Sequence, residues 1–321
     1  MLTRTLGRSG VEVSAIGMGC WAIGGANWRE GKPVGWGAVD DAESIRAIHA
    51  ALEMGVTLFD TADVYGSGHS ERVLAKALAG RRDEVVIASK VGYTYEEATR
   101  QAPGECAEPD YIRRSCDASL DRLNTDRIDL YQFHLGGHDL GAAAKVRDVM
   151  EELVAAGKVR WYGWSTDDAA RARLFAEGPH CTAIQQRLNI FGGNAETLAV
   201  CEELNLASLN RGPLGMGLLT GKFTADTKLP DDDVRHGWDF RQGAQAGQLA
   251  RLDALRDVLT SGGRTLAQGA LCWLLARSDK TLPIPGFKTV AQVRENAAAA
   301  GFGPLSPEQM AQIDGILAKT S

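Results

Sequence analysis

Short apolar runs alternate with longer amphipathic stretches along the whole chain. The runs at 15–19, 56–59, 85–89, 128–133, 159–164, 183–187, 206–209 and 281–284 have the composition of buried strands. Between them, apolar residues recur at helical spacing over 41–54, 70–78, 111–123, 143–156, 169–176, 196–204 and 266–276. Gly55, Gly80, Gly157 and Gly178 follow several of these stretches, where a left-handed C-cap would need glycine. Asp110, after Pro109, is the expected N-cap of the third helix.

Strand, helix and strand joined by short connections require parallel pairing. Eight such strands favour a closed (β/α)8 TIM barrel of the α/β class over an open doubly wound sheet. The first strand is not followed by a GxGxxG turn, which weakens the open nucleotide-binding alternative. Ahead of the first strand, the segments 3–6 and 11–14 flank Gly7-Arg8-Ser9-Gly10 and read as an N-terminal β-hairpin capping the barrel bottom. At the other end, Ser306-Pro307-Glu308-Gln309 opens an extra C-terminal helix, with a cap, a first-turn proline and an acid near the dipole. No linker, repeat or low-complexity tract divides the chain, so one barrel domain over 1–321 is expected. The longest stretch without a periodic pattern is 223–247, polar and rich in Asp and Gly.

Composition narrows the class. Of 321 residues, 44% are hydrophobic, enough for a large core, and the formal charge of −6 comes with acids and bases interspersed. Nucleic acid and anionic membrane are therefore poor partners. The six cysteines never form a CxxC pair, and no His/Cys cluster suits a metal. The N-terminus lacks the apolar core of a secretion signal, and no run approaches a membrane span. These features point to a cytoplasmic chain with no metal centre; they leave its oligomeric state open.

Three apolar runs end in an ionisable residue: Asp60 after 56–59, Lys90 after 85–89 and His134 after 128–133. Tyr65 follows Asp60 by one short turn. In a barrel, all four would face the carboxyl ends of the strands, where catalytic groups gather. Singly, each has an ordinary explanation: a helix cap, a solvated lysine, a hydrogen-bonded structural histidine. Together they compose a proton-transfer site. Carbonyl reduction needs a donor for the nascent alkoxide, and a phenol with a reference pKa near ~10 needs help to serve. Lys90 would tune the phenol, Asp60 would keep Lys90 charged, and a neutral His134 would orient the carbonyl.

The stretch Gly55-Val56-Thr57-Leu58-Phe59-Asp60-Thr61-Ala62-Asp63-Val64-Tyr65-Gly66, running on to Glu71, resembles the signature of the aldo-keto reductases. Lys90 and the His134 of Asp129-Leu130-Tyr131-Gln132-Phe133-His134 match the rest of that family's tetrad, and the likeness extends over essentially the whole chain. The resemblance implies Tyr65 as general acid/base, Lys90 and Asp60 as its tuning pair, and His134 in substrate orientation. It also implies that Ser165 and Gln185 hold a nicotinamide amide, although Thr166 stands where the family usually has Asn. The segment from Arg211 through Pro213, Leu214, Gly217 and Leu218 to Lys222 resembles the wrap around a pyrophosphate. Arg211 replaces the ring-stacking Tyr of many relatives.

After the eighth strand, Ile284-Pro285-Gly286-Phe287-Lys288-Thr289 opens a helix, a common phosphate site in barrels. Lys288 and Thr289 would hold a 2′-phosphate there. The resemblance assigns Glu295 and Asn296 to the adenine, with Gly286 and Gln292 standing where better-known relatives carry basic residues. NADP(H) is favoured, with NAD(H) the alternative. Trp21 and Trp36 are candidate substrate contacts, and Trp28, Tyr93, Tyr95, Trp238 and Phe240 would wall the site with them.

The function expected is hydride transfer between NADP(H) and a small carbonyl or alcohol: an aldehyde, a ketone or a sugar. Two rivals stand beside it. One is an NADPH sensor on the same barrel, distinguished by very slow turnover. The other is a lyase or isomerase with Lys90 as Schiff-base nucleophile, which borohydride trapping would reveal.

Overall fold

The computed structural model describes residues 1–319; the last two positions of the unit expected over 1–321 lie outside the described residues. All eight expected strands form. They are β1 (Met18–Gly19), β2 (Leu58–Asp60), β3 (Val86–Val91), β4 (Ile128–Phe133), β5 (Val159–Ser165), β6 (Cys181–Asn189), β7 (Ala207–Arg211) and β8 (Thr281–Pro283). Each pairs in parallel with its neighbours in the chain. The ring closes between first and last: Gly17 N–H donates to Pro283 O at 3.0 Å and Gly19 N–H to Pro285 O at 2.9 Å. Closure requires glycine at 19, because a Cβ there would lie 2.7 Å from the Ile284 carbonyl oxygen. The molecule is a (β/α)8 barrel.

Strand alternation sorts the side chains. Leu58, Val86, Ala88, Leu130, Ala183, Leu209 and Leu282 pack together inside the barrel, while Phe59, Ile87, Tyr131 and Phe133 pack outward beneath the helices. One step further along the inward face stand Asp60, Lys90, Gln132 and Gln185. The N-terminal hairpin (Thr3–Thr5 with Glu12–Ser14) seals the other end. There Leu6 and Val13 join the inner cluster, and Leu6 O accepts from the Thr182 hydroxyl at 2.7 Å.

The helices are α1 (Asp41–Glu53), α2 (His69–Ala77), α3 (Pro109–Leu123), α4 (Leu140–Ala155), α5 (Ala169–Ala176), α6 (Ala195–Glu203), α7 (Gly243–Thr260), α8 (Leu266–Arg277), α9 (Val290–Phe302) and α10 (Pro307–Lys319). Helix α9 packs on α1 and closes the outer ring; α7 and α10 pack on each other outside it. Asp40, Asp139, Asp168, Asn194, Thr265 and Thr289 each cap a helix by accepting first-turn amides.

Several expectations are corrected. Helix α3 starts at Pro109 with Glu108 at the N-cap. Proline at the first helical position has no N–H to satisfy and a preset φ, so Asp110 falls inside the first turn and pairs with Arg113 instead. Gly55, Gly80 and Gly157 are left-handed, but Gly178 is not. Glycine is needed at 178 for room: a Cβ would lie 1.8 Å from the Tyr162 hydroxyl. Helix α7 begins inside the supposedly irregular 223–247 and buries only Leu252, Leu255, Val258 and Leu259, which makes a weak periodic signal. The rest of that stretch is anchored. Phe223 and Phe240 pack with Leu218, and Val234 N–H donates to Gly35 O at 2.8 Å.

The loops after β1 and β3 also hold structure that the pattern did not disclose. Trp28–Arg29, Lys32–Pro33, Tyr93–Glu96 and Gln101–Glu105 form a four-stranded sheet at the carboxyl ends of the barrel strands. Its strands are short and half-exposed, so no period-two apolar alternation marks them.

Candidate active site

The four tetrad residues converge. Lys90 Nζ lies 2.6 Å from Asp60 Oδ1, 2.8 Å from Thr61 O and 3.1 Å from the Tyr65 hydroxyl. Lys90 is fully buried and Asp60 nearly so. Three donors and three acceptors match, so the ammonium is fully satisfied without water. Tyr65 is placed by its turn: Gly66 is left-handed at φ 59°, and a Cβ there would lie 2.0 Å from Gly24 O. Asn27 Nδ2 fastens the same turn by donating to Val64 O at 2.8 Å. Trp21 stacks on the Tyr65 ring at 6.0 Å, and the His134 ring meets it edge-on at 5.9 Å.

Sequence reasoning missed how the carboxylate is held. Asp60 Oδ2 accepts from Gln132 Nε2 at 3.0 Å and from Gln185 Nε2 at 2.8 Å. Gln185, expected at the nicotinamide amide, thus also belongs to the tetrad's support. The available signal was its register. Gln132 pairs across the sheet with Lys90, and Gln185 lies on the inward face level with Leu209.

The electrostatics refine the tuning idea. Burial pushes the Tyr65 phenol above its ordinary value; the Lys90 ammonium pulls the other way and is outweighed. Burial also works against the Lys90 charge, but Asp60 and Tyr65 overcome it and hold the ammonium's pKa above the usual lysine value. Burial, assisted by Lys90, Arg211 and Arg29, drops His134 well below the ordinary imidazole value, so the ring is neutral at physiological pH.

Behind the tetrad lies a carboxyl of another kind. Asp63 is fully buried, and its carboxylate has no well-formed hydrogen bond, only the weak pull of the nearby Val64 backbone N–H. Burial and then repulsion from Glu71 push its pKa well up, against the pull of Arg122 and Lys90. Because the folded value exceeds the unfolded one, the native state holds the extra proton as pH rises, and stability falls across that interval. Asp63→Asn removes the titration. It should leave acid stability near wild type and gain about 1–3 kcal/mol at neutral pH. Thermal melts at about pH 4 and about pH 8 check this; a wild-type excess at the higher pH would refute it.

Tyr65 and His134 open on a cavity of about 1070 Å³ that runs from Trp21, Trp36 and Tyr93 past Ser165, Gln185 and Arg211 to the ends of β7 and β8. Pro213, Leu214, Gly217, Leu218 and Lys222 line it, as do Gly286, Lys288, Gln292, Glu295 and Asn296. Thr289 does not; its hydroxyl caps α9 by accepting from Gln292 N–H. Trp238 lines the cavity, whereas Trp28, Tyr95 and Phe240 do not. Tyr95 packs beside Ala62 and Val64 with the Arg122 guanidinium over its ring, and Phe240 packs on Phe223, so both are used in loop packing. Arg211 is tied to Asp167 at 2.6 Å at the cavity wall.

The far end of the cavity suits a polyanion. Lys222 and Arg235 border the left-handed turn Gly215-Met216-Gly217, and Lys288 lines the same cavity near enough to act on the Lys222 charge. Among the described residues, only Arg235 of the three has a carboxylate partner, Asp233 at 2.7 Å. Burial lowers both lysine pKa values, and Arg235 lowers them further. Surplus positive charge at the cavity wall suits a phosphate-bearing cofactor. Among the described residues, no group of three or more His, Cys, Asp or Glu side chains is placed to hold a metal ion.

The aldo/keto reductase family model matches residues 15–318. Aldo-keto reductase YhdN of Bacillus subtilis (strain 168) is 32% identical over 318 residues, covering 97% of this chain and 92% of that protein. Among solved structures, the glycerol dehydrogenase AKR11B4 from Gluconobacter oxydans superposes with a TM-score of 0.85 at 31% identity, over 99% of this chain and 95% of that one. An aldo-keto reductase from Klebsiella pneumoniae in complex with NADPH gives 0.73 at 28% identity, over 98% and 95%.

Proposed function

This chain belongs to the aldo/keto reductase family, and from that premise we propose that it is an NADP(H)-dependent oxidoreductase acting on a small carbonyl or alcohol, with Tyr65 as the proton donor and acceptor. The observation that carries the reading is the ammonium of Lys90 bridging a buried carboxylate and a phenol at the wall of the cavity. When bound, the reduced nicotinamide supplies a hydride equivalent to the carbonyl carbon. Ser165 and the Gln185 carbonyl oxygen would hold its amide, a reading supported by both residues lining the cavity and by Gln185 Nε2 being spent on Asp60.

Tyr65 gives its proton to the developing alkoxide. A phenol held above its ordinary pKa keeps that proton until the far more basic alkoxide forms. Lys90 then stabilises the phenolate from 3.1 Å. Asp60 keeps Lys90 charged, and the two glutamines hold the Asp60 carboxylate in place. His134 is neutral, and its Nδ1 is buried, so Nε2 is the ring nitrogen that would meet the carbonyl oxygen. Alcohol oxidation uses the same groups in reverse.

The preference for NADP(H) is assigned to Lys288, supported by the NADPH complex of the Klebsiella relative. Lys288→Glu should raise the NADPH dissociation constant about tenfold or more and the NADH one by much less. Fluorescence titration with both nucleotides checks this; equal losses would refute the assignment. Lys288 also donates to Trp36 O and Ala38 O, so Lys288→Met serves as the control for that tether. The six free thiols support the cytoplasmic expectation, and no helix among the described residues is long and apolar enough to cross a membrane. The direct test of function is NADPH oxidation across aldehydes, ketones and sugars, where negligible turnover would favour the sensor.

A further inference from the structure

The sheet laid over the catalytic end brings a guanidinium to the substrate side of the cavity. Arg29, half-buried on the strand Trp28–Arg29, lines the cavity with Tyr93 and His134. Its Cζ sits 4.6 Å over the Tyr93 ring, and that ring lies 5.0 Å from His134. Arg29 Nε donates to Ala102 O at 3.2 Å, which fixes the head group. Lys90 and Arg211 each face a carboxylate. Among the described residues, none lies within ion-pair distance of Arg29. Arg187 also lines the cavity but is exposed. Lys222 and Lys288 follow β7 and β8 in the chain, whereas Arg29 is held by Tyr93 and Ala102 on the segment after β3, so the cations suited to the cofactor's phosphates come from other segments than this charge.

We propose that Arg29 recognises a carboxylate, so that the preferred substrates are aldehydes or ketones carrying a carboxylate away from the reacting carbonyl. Stacking on Tyr93 and the bond from Nε occupy one face and one donor of the guanidinium. The remaining edge is a planar fork, the geometry that binds a carboxylate through two parallel hydrogen bonds. A half-buried cation without a counter-ion pays for its desolvation once an anion arrives. The contribution of Arg29 to the lowered pKa of His134 agrees with an uncompensated charge near the reacting end. In the reaction, hydride goes to the carbonyl carbon and the Tyr65 proton to the carbonyl oxygen, NADPH becomes NADP⁺, and the carboxylate is unchanged. This inference rests on the oxidoreductase reading above.

The test compares para-formylbenzoate with its methyl ester, and succinic semialdehyde with its methyl ester, at saturating NADPH. Each pair keeps the aldehyde and removes the charge. The wild type should favour the acid in at least one pair by about tenfold or more in kcat/KM, carried mainly by KM and weakened by added salt. Arg29→Met should bring that ratio to within about threefold of unity, with Arg29→Lys intermediate because it keeps charge without the fork. Esters turned over with no preference for the acid in either pair would overturn this inference and leave the oxidoreductase reading intact. No turnover of any of the four, with turnover elsewhere among aldehydes, ketones and sugars, would overturn this inference alone, and no turnover of any of them would overturn both. Should Arg29→Met fail to fold, the wild-type ratios and Arg29→Lys still decide. A purely structural Arg29, stapling Tyr93 to Ala102, would slow acid and ester alike in the variants and so would also refute the proposal.

Discussion

Tyr65→Phe should lower turnover by about 10²–10⁴-fold while NADPH still binds with near-wild-type affinity. The substitution removes one oxygen, 3.1 Å from Lys90 Nζ, and keeps the ring stacked on Trp21. The neighbouring ring cannot replace it, because His134 is held neutral well below its ordinary pKa. Stopped-flow or steady-state NADPH oxidation, paired with fluorescence titration of the cofactor, separates chemistry from binding. Turnover surviving within about tenfold would end the tetrad reading. The wild-type pH profile adds a sign. Burial raises the Tyr65 pKa above the usual phenol value, so the protonated acid persists through neutral and mildly alkaline pH. Carbonyl reduction should therefore show no loss attributable to Tyr65 until the pH passes about 10. A phenol limb near neutrality would contradict the burial argument.

Lys90→Met should cost both stability and turnover, for separable reasons. Asp60 would remain almost fully buried with its counter-ion gone, and the two glutamine amides cannot supply a full positive charge. Breaking one side of a buried pair typically costs about 3–5 kcal/mol. The double variant Lys90→Met with Asp60→Asn removes both charges and should recover most of that loss, since no ionised group is left stranded. Turnover should stay low in both, because the phenolate would have no ammonium beside it. Chemical denaturation of the two variants, set against their kcat values, checks each half. A single variant as stable as wild type would show that Asp60 is held by something other than the ion pair.

Asp60, Lys90 and His134 were legible because each ends a continuous apolar run, the mark of a parallel strand buried on both faces. Such a run must stop where the barrel meets solvent, and the first polar residue there points into the catalytic end. Gln132 sits inside the run Leu130-Tyr131-Gln132-Phe133, where composition does not say which face looks inward. Only the register across β3 and β4 puts it beside Lys90 and onto Asp60. Arg29 and Arg235 lie in stretches with no period at all. Their places depend on contacts far along the chain: Arg29 on Ala102 and Tyr93, Arg235 on Met216 O and Asp233. Helix α7 was hidden for a similar reason, since most of its surface stays wet and its apolar face is confined to its second half.

By itself, then, the chain's pattern of polar and apolar residues determined the eight-fold alternation, the hairpin plug at the bottom and which four ionisable groups would meet at the carboxyl ends of the strands. Local spacing and strand burial are properties of adjacent residues, and adjacent residues are what a sequence displays. The tertiary structure alone decided that Gln185 braces a carboxylate as well as facing the cavity, that the phenol is raised rather than lowered, and that an uncompensated guanidinium overlooks the substrate side. Each of those outcomes is set by desolvation and by distances between segments remote in the chain, and neither quantity exists until the barrel has closed.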